Sequence, residues 1–586
     1  MNMPFKNHEP FLSFEFASSD GVIKPLTFST PLKMIIANTI EEVLPSFRLV
    51  QEAVDQGFYA AGFLSYESAP AFDSAFKVRN GHKMPLIWFG IFQEPQMRTL
   101  SGTASYSLSE WNPNVSIDEY HQAIASIKQS IESGDTYQTN YTIRLHSQFE
   151  GDALSLFQKM KKAQSSNYCA FIHTGDHTIL SASPELFFHL EGNKITTRPM
   201  KGTIKRGKSF EEDLANASWL YHSEKNRAEN VMIVDLLRND LGMIAEPGSV
   251  NVTKLFEIET YPTVHQMTST ITANIPSHTQ MVDIFKALFP CGSITGAPKI
   301  KTMDIIADIE TTPRNVYCGA IGYISPNKEA IFSVPIRTVV IEQESGQATY
   351  GVGGGITWDS TTQGEYHEIL AKSKILEEDR PEFQLLESIL LNEGDYFLFE
   401  NHLNRLKKSA RYFGFTFNEF EIKQILADFA NQNNQGPFKV RFLLDKNGGT
   451  KLEGQPIQLF VGPIKAALAK EPVERNHVFL YHKTTNREIY SKFQKVYRQV
   501  SDVLLWNEDR ELTEFTNGNV VLDIDGQLWT PPITSGLLAG TFRQALIDEG
   551  VIQERILLLS DLKKCSKIWF INSVRKWVEV ELVDEL

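Results

Sequence analysis

Cysteine is scarce in this sequence, with only four among 586 residues: Cys169, Cys291, Cys318 and Cys565. No two of them have the spacing of a metal-binding pair, and so few cannot form a disulfide framework. The chain also lacks a run near 18 apolar residues, and its N-terminus lacks a charged start followed by an apolar core. We therefore expect no signal peptide, no transmembrane helix and a location in the reducing cytoplasm.

Positively charged residues are also relatively few, with 57 Lys and Arg residues compared with 71 Asp and Glu residues. A chain with a net charge of −14 gains nothing from counterion release, which argues against nucleic-acid binding. Any anionic substrate must instead be held by local cations. The composition, 42% hydrophobic and 22% charged, is typical of a folded globular protein, and the length predicts about four structural units.

The chain divides into two regions that differ in their pattern of β-rich and helical segments. A charged, proline-containing run over residues 376–382 separates them. The first region alternates short β-rich runs, such as 331–341, with helical stretches such as 116–133. A helix end followed by a solvated loop is the simplest interpretation of the charged run. We predict an α+β protein with two domains, residues 1–378 and 379–586.

The first region carries an acid and an amine in segments that a packed core does not need. Glu185 lies between Pro184 and an apolar run, where a lone glutamate is usually a surface residue at a strand end. Lys201 is followed by Gly-Thr, which alone indicates only a turn. Neither residue identifies a site without its neighbours.

A mostly buried helix is predicted over residues 228–242, and it carries several charged side chains. Buried charges must be paired or bound to something. We expect an internal ion-pair network of Asp235, Arg238 and Asp240. Glu229 has no partner one helical turn away, which leaves it available to a metal.

Two glycine-rich segments follow in the first region. Residues 292–299 combine glycines, small residues and a hydroxyl before a helix, a pattern that can direct backbone N–H groups at an anion. Three consecutive glycines at 353–355 let the backbone approach a ligand closely. On the next helix, Glu365, Glu368 and Lys372 have the spacing of one face, which alone indicates an ordinary salt bridge.

Taken together and in this order, these segments resemble the chorismate-utilising enzymes over roughly residues 60–375. The resemblance implies a fold of β-sheets with surrounding helices and chorismate as substrate. It also implies a Mg²⁺ site at Glu229 and Glu368, with Glu365 nearby. The other pocket residues that it implies are Arg337 and Lys372, which would bind substrate carboxylate, and Thr295, Gly353, Gly354 and Gly355.

Two positions distinguish the members of this family. Isochorismate and salicylate synthases carry a lysine base at the position of Gln138, and an amide cannot act as that base. Anthranilate synthases carry alanine at the position of Lys201. A lysine there resembles the aminodeoxychorismate synthases, whose motif is usually Pro-Ile-Lys-Gly-Thr, with Met200 replacing the isoleucine here. Anthranilate synthase, which aminates C2 of the same ring, stays as an alternative.

The resemblance implies a covalent mechanism for the first region. Lys201, as a neutral amine, would add at ring C2 while the C4 hydroxyl leaves, and Glu185 would protonate that hydroxyl. Ammonia would then enter at C4 and expel Lys201. His265 matches a family active-site histidine, although a structural role is equally open. No cysteine has the setting of a glutaminase nucleophile, so ammonia would be free or come from a separate glutamine amidotransferase subunit.

The second region, with a predicted strand at 439–444 and a helix at 402–413, carries its own set of motifs. Lys483 ends an apolar run before polar turn residues, and Glu514 precedes a turn that leads into a strand. A glycine-rich loop over residues 530–543 leads into a helix, a setting that suits phosphate.

In order, these motifs resemble the class IV aminotransferase fold over roughly residues 384–586. The resemblance implies pyridoxal 5'-phosphate carried by Lys483, with Glu514 holding the pyridine nitrogen protonated. Arg405 and Thr541 would bind the phosphate. The sequence around Lys483 is most similar to 4-amino-4-deoxychorismate lyases, but the opening hairpin is short and Ser388 stands where relatives often have threonine. An aminotransferase of another substrate stays as an alternative.

The two resemblances complement each other, because the first implied activity makes the substrate of the second. They imply a bifunctional enzyme, an amino-group transferase joined to a lyase, that converts chorismate to 4-aminobenzoate for folate synthesis. A homodimer through the second region is one assembly compatible with the class IV fold. A catalytically inactive fusion that only scaffolds an amidotransferase is a third alternative, which the retained acids and lysines argue against.

Overall fold

The computed structural model describes residues 9–100, 102, 104–377, 380–458 and 462–583. Contacts divide the chain into two compact units, one of residues 1–205 with 217–380 and the other of residues 206–216 with 381–586. The predicted boundary between residues 378 and 379 lies outside the described residues. The grouping of 206–216 with the second unit was not predicted from the sequence.

The helices are short to medium in length and alternate with strands throughout. They are α1 (Ile40–Asp55), α2 (Ile117–Glu132), α3 (Ala153–Gln164), α4 (Phe210–His222), α5 (Glu224–Gly242), α6 (Met281–Leu288), α7 (Lys299–Ile309), α8 (Thr362–Ser373), α9 (Phe399–Phe413), α10 (Glu419–Gln432), α11 (Glu488–Val496) and α12 (Thr541–Asp548). Short 3₁₀ helices cover Tyr66–Ala71, Gly292–Ile294, Lys374–Leu376, Val478–Leu480, Ile533–Ser535 and Leu559–Lys563. Among the described residues, no helix combines the length and the apolar character needed to cross a bilayer.

Strands β1 to β20 belong to the first unit. They are β1 (Phe11–Ala17), β2 (Ile23–Ser29), β3 (Lys33–Ala37), β4 (Tyr59–Leu64), β5 (Ile87–Phe92), β6 (Tyr106–Leu108), β7 (Asn112–Pro113), β8 (Gln138–Gly151), β9 (Tyr168–His173), β10 (His177–Ser183), β11 (Leu186–Glu191), β12 (Lys194–Arg198), β13 (Met200–Lys205), β14 (Asn251–Thr260), β15 (Val264–Asn274), β16 (Gly296–Ala297), β17 (Ala320–Ile324), β18 (Ala330–Ser333), β19 (Thr338–Glu342) and β20 (Gln347–Ile356).

The first unit has two large sheets with helices on their outer faces. One sheet runs in the order β16-β8-β20-β19-β10-β9-β1-β2 and the other in the order β13-β15-β12-β11-β18-β17-β4-β5-β3. An aromatic core that includes Phe14, Phe28 and Trp88 lies between the sheets. Helices α1, α5 and α6 cover the outer face of the second sheet, and α2, α3 and α8 cover that of the first. The predicted β-sheets with surrounding helices are confirmed.

Strands β21 to β32 belong to the second unit. They are β21 (Leu385–Asn392), β22 (Asp395–Tyr396), β23 (Phe438–Leu444), β24 (Thr450–Pro456), β25 (Ile464–Leu468), β26 (Asp502–Trp506), β27 (Leu512–Phe515), β28 (Gly518–Ile524), β29 (Gln527–Thr530), β30 (Gln553–Glu554), β31 (Lys567–Asn572) and β32 (Lys576–Leu582). Strands β22-β21-β23-β24 form a small sheet that packs against α9 and α10. Strands β27-β26-β25-β32-β31-β28 close into a barrel, because β27 also pairs with β28.

Local sequence signals explain several element boundaries. The predicted helix over 116–133 is α2, where Ser116 caps the Glu119 amide and the Glu119 carboxylate accepts from the Ser116 amide at 2.7 Å. Helix α9 contains the predicted 402–413 and ends at Gly414 in the left-handed region, at φ 68°. The predicted strand over 439–444 is β23, which begins one residue earlier.

The β-rich run over 331–341 is not one strand. Its first part is β18 and its second part is β19, and the two strands belong to different sheets. Between them, Pro335 has no amide to donate to a ladder, and Arg337 has a φ of 54°. The chain therefore leaves one sheet and enters the other at Arg337.

Candidate active sites of the two units

A β-hairpin brings the first predicted acid and amine to the same end of a sheet. Strands β11 and β12 are antiparallel, and Leu186 pairs with Arg198. Glu185 precedes this pair and Lys201 follows it, so both leave the hairpin at one end. The segment of sequence between Glu185 and Lys201 therefore forms this hairpin.

A bulge in β13 sets the position of Lys201. The register against β15 shifts between Met200 and Thr203, and Gly202 has a φ of 93° that favours glycine. The Asn230 amide nitrogen donates to the Lys201 carbonyl at 3.3 Å. A Cβ placed on Gly355 would lie 2.9 Å from Lys201 Nζ, so the amine points at the triple-glycine strand β20.

The charges of three carboxylates act on the half-buried Lys201 amine. Burial lowers the pKa of Lys201, and the charges of Glu229 and Glu185 partly oppose this shift. A lowered pKa increases the neutral fraction of the amine, which is the nucleophilic form. Burial therefore shifts Lys201 in the direction that covalent addition requires.

Glu185 is 3% exposed, and its burial raises its pKa to about 7, against a hydrogen bond from Ser293 and the charge of Lys201. Within the described part of the chain, its Oε1 atom has no hydrogen-bond partner. A buried carboxyl with one free oxygen and a raised pKa can hold a proton near neutral pH. It therefore has the properties of a general acid.

The predicted metal carboxylates lie on two helices. A Cβ placed on Gly354 would lie 3.3 Å from Glu365 Oε2 and 3.6 Å from Glu368 Oε1, so both α8 carboxylates approach this glycine. Burial raises the pKa of Glu229, on α5, and the Glu368 charge adds to this. Carboxylate oxygens suit Mg²⁺, so the donor set fits. Among the described residues, no group of three ligands is already drawn together at metal-binding distance.

Two cations line the same strand. Lys372 forms an ion pair with Glu368, and its Nζ donates to the Gly353 carbonyl at 2.8 Å. The Lys372 charge accordingly lowers the pKa of Glu368. Arg337 donates to the Lys372 carbonyl at 2.6 Å, which joins the sheet crossover to the end of α8. Lys372 is therefore beside Gly353 and Arg337 contacts the Lys372 backbone, and the binding of substrate by both cations stays a prediction.

The structure gives Thr295 and His265 structural partners. The Thr295 hydroxyl, fully buried, donates to the carbonyls of Cys291 and Gly292 at 3.2 and 3.3 Å. His265 lies on β15 and shares a 3.1 Å hydrogen bond with the Thr260 hydroxyl. Their roles in the pocket and in catalysis stay predictions.

The predicted network of Asp235, Arg238 and Asp240 is wrong. Asp235 and Arg238 form an exposed pair at 2.8 Å, whereas the buried Asp240 binds Lys299 of α7, also at 2.8 Å. Asp240 faces the core side of α5 and Asp235 faces solvent, so one network could not hold both.

The sequence indicated only that Gln138 cannot act as a base, but in the structure its side chain lies within the site. Its side chain is fully buried, and neither of its amide atoms has a hydrogen-bond partner among the described residues. A Cβ placed on Gly355 would lie 2.3 Å from Gln138 Nε2. Asn230 and Ser293, which contact Lys201 and Glu185, were missed, because only the tertiary structure brings them there.

In the second unit, Lys483 lies beside the small sheet. Its carbonyl accepts from the Leu386 amide of β21 at 3.0 Å. Burial lowers the pKa of the Lys483 amine to about 8, and the charges of Arg405 and Arg487 add to this, against those of Glu387 and Glu514. A buried amine with a depressed pKa is suited to covalent attachment of a carbonyl compound.

Glu514 lies on β27, as the sequence predicted for an acid before a strand-linking turn. It is 3% exposed and accepts from the Tyr490 hydroxyl at 2.7 Å and from Asn519 at 3.3 Å. Burial raises its pKa to about 7, against the hydrogen bond from Tyr490. Tyr490 was missed, because a tyrosine on a short helix has no sequence signal for this contact.

Arg405 and Thr541 are joined through a buried acid and histidine. Glu387 binds both Arg405, at 2.6 Å, and His402, at 2.7 Å, and against the effect of burial these two partners lower its pKa to about 2. His402 Nε2 and the Thr541 hydroxyl are 3.2 Å apart. Thr541 begins α12, as predicted for the loop-to-helix segment. An amine, an acid, a cation and a helix N-terminus fit the aldehyde, pyridine nitrogen and phosphate of pyridoxal phosphate.

Comparisons with known proteins agree with this division. Residues 99–378 match the chorismate binding enzyme family, and residues 384–583 match amino-transferase class IV. Aminodeoxychorismate synthase component 1 of Salmonella typhimurium is 44% identical over 45% of this chain and 58% of that protein. Component 1 of Klebsiella aerogenes is 41% identical over 48% of this chain and 64% of that protein. The matches thus span about three fifths of these relatives' length.

Solved structures show the fold of the first unit. Anthranilate synthase component I from Streptococcus pneumoniae superposes with a TM-score of 0.52 at 24% identity, over 64% of this chain and 93% of that one. Similarity at this level establishes a shared architecture and not a shared activity. The chain therefore joins a segment that matches the chorismate binding enzyme family, over residues 99–378, to a segment that matches amino-transferase class IV, over residues 384–583.

Proposed function

We propose that this chain converts chorismate to 4-aminobenzoate in two steps, an amination in the first unit and an elimination in the second. The observation that carries the proposal is the Lys201 amine, which lies among carboxylates beside the triple-glycine strand and has a lowered pKa. The second unit adds an amine of the kind that its implied chemistry needs, at Lys483. Relatives named aminodeoxychorismate synthase component 1 support the first step.

In the first step, Lys201 would act as the nucleophile and Glu185 as the proton donor. The Lys201 nitrogen forms a bond to ring C2, the double bonds shift, and the C4–O bond breaks as Glu185 gives its proton to the departing hydroxyl. Ammonia then bonds to C4, and the C2–N bond returns its electrons to Lys201. The products are 4-amino-4-deoxychorismate and water, and the ammonium proton restores Glu185.

Charged side chains would orient the substrate in this step. Magnesium, when bound, supplies positive charge that neutralises substrate carboxylate. Glu229, Glu365 and Glu368 are the residues that would hold it. Arg337 and Lys372 would bind carboxylate directly through charge-assisted hydrogen bonds.

The second step is a proton transfer followed by loss of pyruvate. Pyridoxal phosphate, when bound, supplies an electron sink at the substrate amine. Lys483 would remove the C4 proton, and the C3–O bond of the enolpyruvyl group would break as the ring becomes aromatic. Glu514 would hold a proton at the pyridine nitrogen, and Arg405 with Thr541 would bind the phosphate.

The source of nitrogen, the cellular location and the assembly complete the proposed function. A separate glutamine amidotransferase chain would deliver ammonia, with free ammonium as its substitute in vitro. The product would serve folate synthesis in the cytoplasm, and the second unit would pair with a second copy of itself.

The direct test supplies chorismate, Mg²⁺, ammonium and pyridoxal phosphate and identifies the aromatic product by mass spectrometry and NMR. We expect 4-aminobenzoate and pyruvate in equal amounts. Anthranilate would instead show amination at C2. Turnover that depends on an added α-keto acid would identify an aminotransferase, and no product at all would support the inactive scaffold.

Replacing Glu185, the proposed general acid, should remove the fall in amination rate at high pH. Because Glu185 must carry a proton and its pKa is about 7, the rate of amination should fall as pH rises through this value. We expect Glu185→Gln to lower kcat by about 10²–10⁴-fold. The measurement is kcat for chorismate from pH 6 to 9, with Glu191→Gln, the exposed glutamate that ends β11, as control. A Glu185→Gln enzyme with the normal rate and profile would remove Glu185 from the mechanism.

A further inference from the structure

Lys201 lies in a β-bulge, and this bulge fixes the face of the sheet on which its side chain projects. Lys201 and Gly202 of β13 together stand opposite a single residue of β15, Met267. Because side chains alternate along a strand, a slip of one residue would turn the Lys201 side chain to the other face. A contact that holds the bulge therefore also holds the Lys201 amine beside Gly355.

A buried asparagine of α5 makes such a contact. The Asn230 amide nitrogen donates to the Lys201 carbonyl at 3.3 Å, and the Asn230 amide oxygen accepts from the Ser269 hydroxyl at 2.6 Å. A backbone carbonyl can only accept, so this pattern of hydrogen bonds fixes which end of the amide faces Lys201. Asn230 is 1% exposed and Ser269 is fully buried, so both hydrogen bonds are shielded from water.

Ser269 is the residue that orients the Asn230 amide. It lies on β15 opposite a second bulge, in which two residues of β14 face this one residue. The Phe256 amide donates to the Ser269 hydroxyl oxygen at 3.2 Å, and the hydroxyl proton is given to Asn230. The Ser269 amide also donates to the Pro199 carbonyl at 3.3 Å. Ser269 thus contacts the chain before the Lys201 bulge directly and the bulge itself through Asn230.

Helix α5 contacts both residues of the bulge and also carries a predicted magnesium ligand. Asn226, one turn before Asn230, packs on the glycine, since a Cβ placed on Gly202 would lie 3.0 Å from the Asn226 Cβ. Glu229 directly precedes Asn230 in the sequence. The helix that presents the Glu229 carboxylate thus also holds the backbone of Lys201. Such positioning matters for a covalent step, because a displacement of about 1 Å can lower a rate about 10²-fold.

We propose that Asn230 is a positioning residue for Lys201 and that Ser269 orients the Asn230 amide. This inference rests on the first step of the proposed function, in which the Lys201 amine bonds to ring C2. Asn230 acts through the Lys201 backbone and takes no proton in the reaction. Its loss would let the bulge shift, and the Lys201 amine would move from its place beside Gly355 towards solvent.

The kinetics of amination test the first consequence. We expect Asn230→Ala to lower kcat about 10²-fold, because the amine is misplaced, and to leave KM for chorismate within about twofold, because Arg337 and Lys372 remain. Ser269→Ala keeps the Asn230 side chain but not its orienting partner, and should lower kcat about tenfold. Asn239→Ala, at an exposed asparagine of the same helix, is the matched control and should keep the wild-type kcat.

A measurement on the amine itself separates this inference from the proposed function. Competitive acetylation by acetic anhydride, followed by mass spectrometry over a range of pH, reports the pKa of individual lysines without any turnover. Burial lowers the pKa of Lys201, so this pKa should rise towards that of a free lysine in Asn230→Ala and in Ser269→Ala. The pKa of Lys194, exposed on β12 of the same sheet, should be the same in all variants.

The two measurements give distinct outcomes. A rise in the Lys201 pKa in the variants, with wild-type protein that does not aminate chorismate, would reject the proposed function and support Asn230 as the residue that positions this lysine. Wild-type kcat in folded Asn230→Ala, or a fall in kcat with an unchanged Lys201 pKa, would reject the positioning role. Circular dichroism verifies folding, and Ser269→Ala decides by the same two criteria if Asn230→Ala does not fold.

Discussion

Lys201→Ala should abolish formation of 4-amino-4-deoxychorismate, with a fall in kcat of at least about 10³-fold, the scale on which loss of a covalent nucleophile is felt. The physical reason is that the Lys201 amine approaches Gly355, whereas the nearby Lys372 is held in an ion pair with Glu368. Alanine also removes a positive charge from among the site carboxylates, so these should bind protons or magnesium more tightly. The measurement is the initial rate of amination with saturating ammonium, followed by chromatography of the products.

A control distinguishes loss of chemistry from loss of folding. Lys194→Ala removes an exposed lysine from β12, in the same sheet, and should leave the rate unchanged. Chorismate binding to Lys201→Ala, measured by equilibrium titration, should persist because Arg337 and Lys372 remain. A Lys201→Ala enzyme that aminates chorismate at the normal rate would rule out covalent addition by this lysine.

Lys483→Ala should stop release of 4-aminobenzoate and cause the amino intermediate to accumulate. Loss of a positioned base costs about 10²–10⁴-fold, and loss of covalent attachment should also remove the absorbance band of the lysine-linked cofactor. The first unit should still aminate chorismate, so consumption of chorismate should continue. The intermediate and 4-aminobenzoate are quantified in one chromatogram.

The pH dependence of cofactor loading gives an independent readout for the same lysine. Because the pKa of Lys483 is about 8, the neutral amine increases as pH rises through this value, and loading should accelerate accordingly. Lys495→Ala, at the exposed end of α11, is the control and should load normally. Release of 4-aminobenzoate by Lys483→Ala at the wild-type rate would contradict the lyase assignment.

Local signals predicted the elements that depend on neighbouring residues. Helical spacing of apolar residues predicted α2, and in the structure the capping pair Ser116 and Glu119 accounts for its start, as Gly414 accounts for the end of α9. The spacing of Glu365 and Glu368 placed both carboxylates on one helical face, and the structure shows them beside Gly354. The division into two domains followed from the change of pattern along the chain and the charged run over residues 376–382, and the resemblance to known families then implied the fold of each.

Interactions between distant segments were not predictable in the same way. Asp240 binds Lys299 rather than Arg238, because the inner face of α5 packs where α7 begins, and no local rule encodes this. The crossing between sheets at Arg337 depends on a left-handed residue within an otherwise continuous β-rich run. The link from Glu387 through His402 to Thr541 joins three separate segments, so it required the tertiary structure.

Residues 206–216 group with the second unit although they lie within the sequence of the first. If the gene were divided between the two matched regions, the fragment that encodes the second unit would therefore lack residues 206–216. The fragment that encodes the first unit would retain them. Separation of the two units during evolution, or by an engineer, would need this segment to be replaced or carried along.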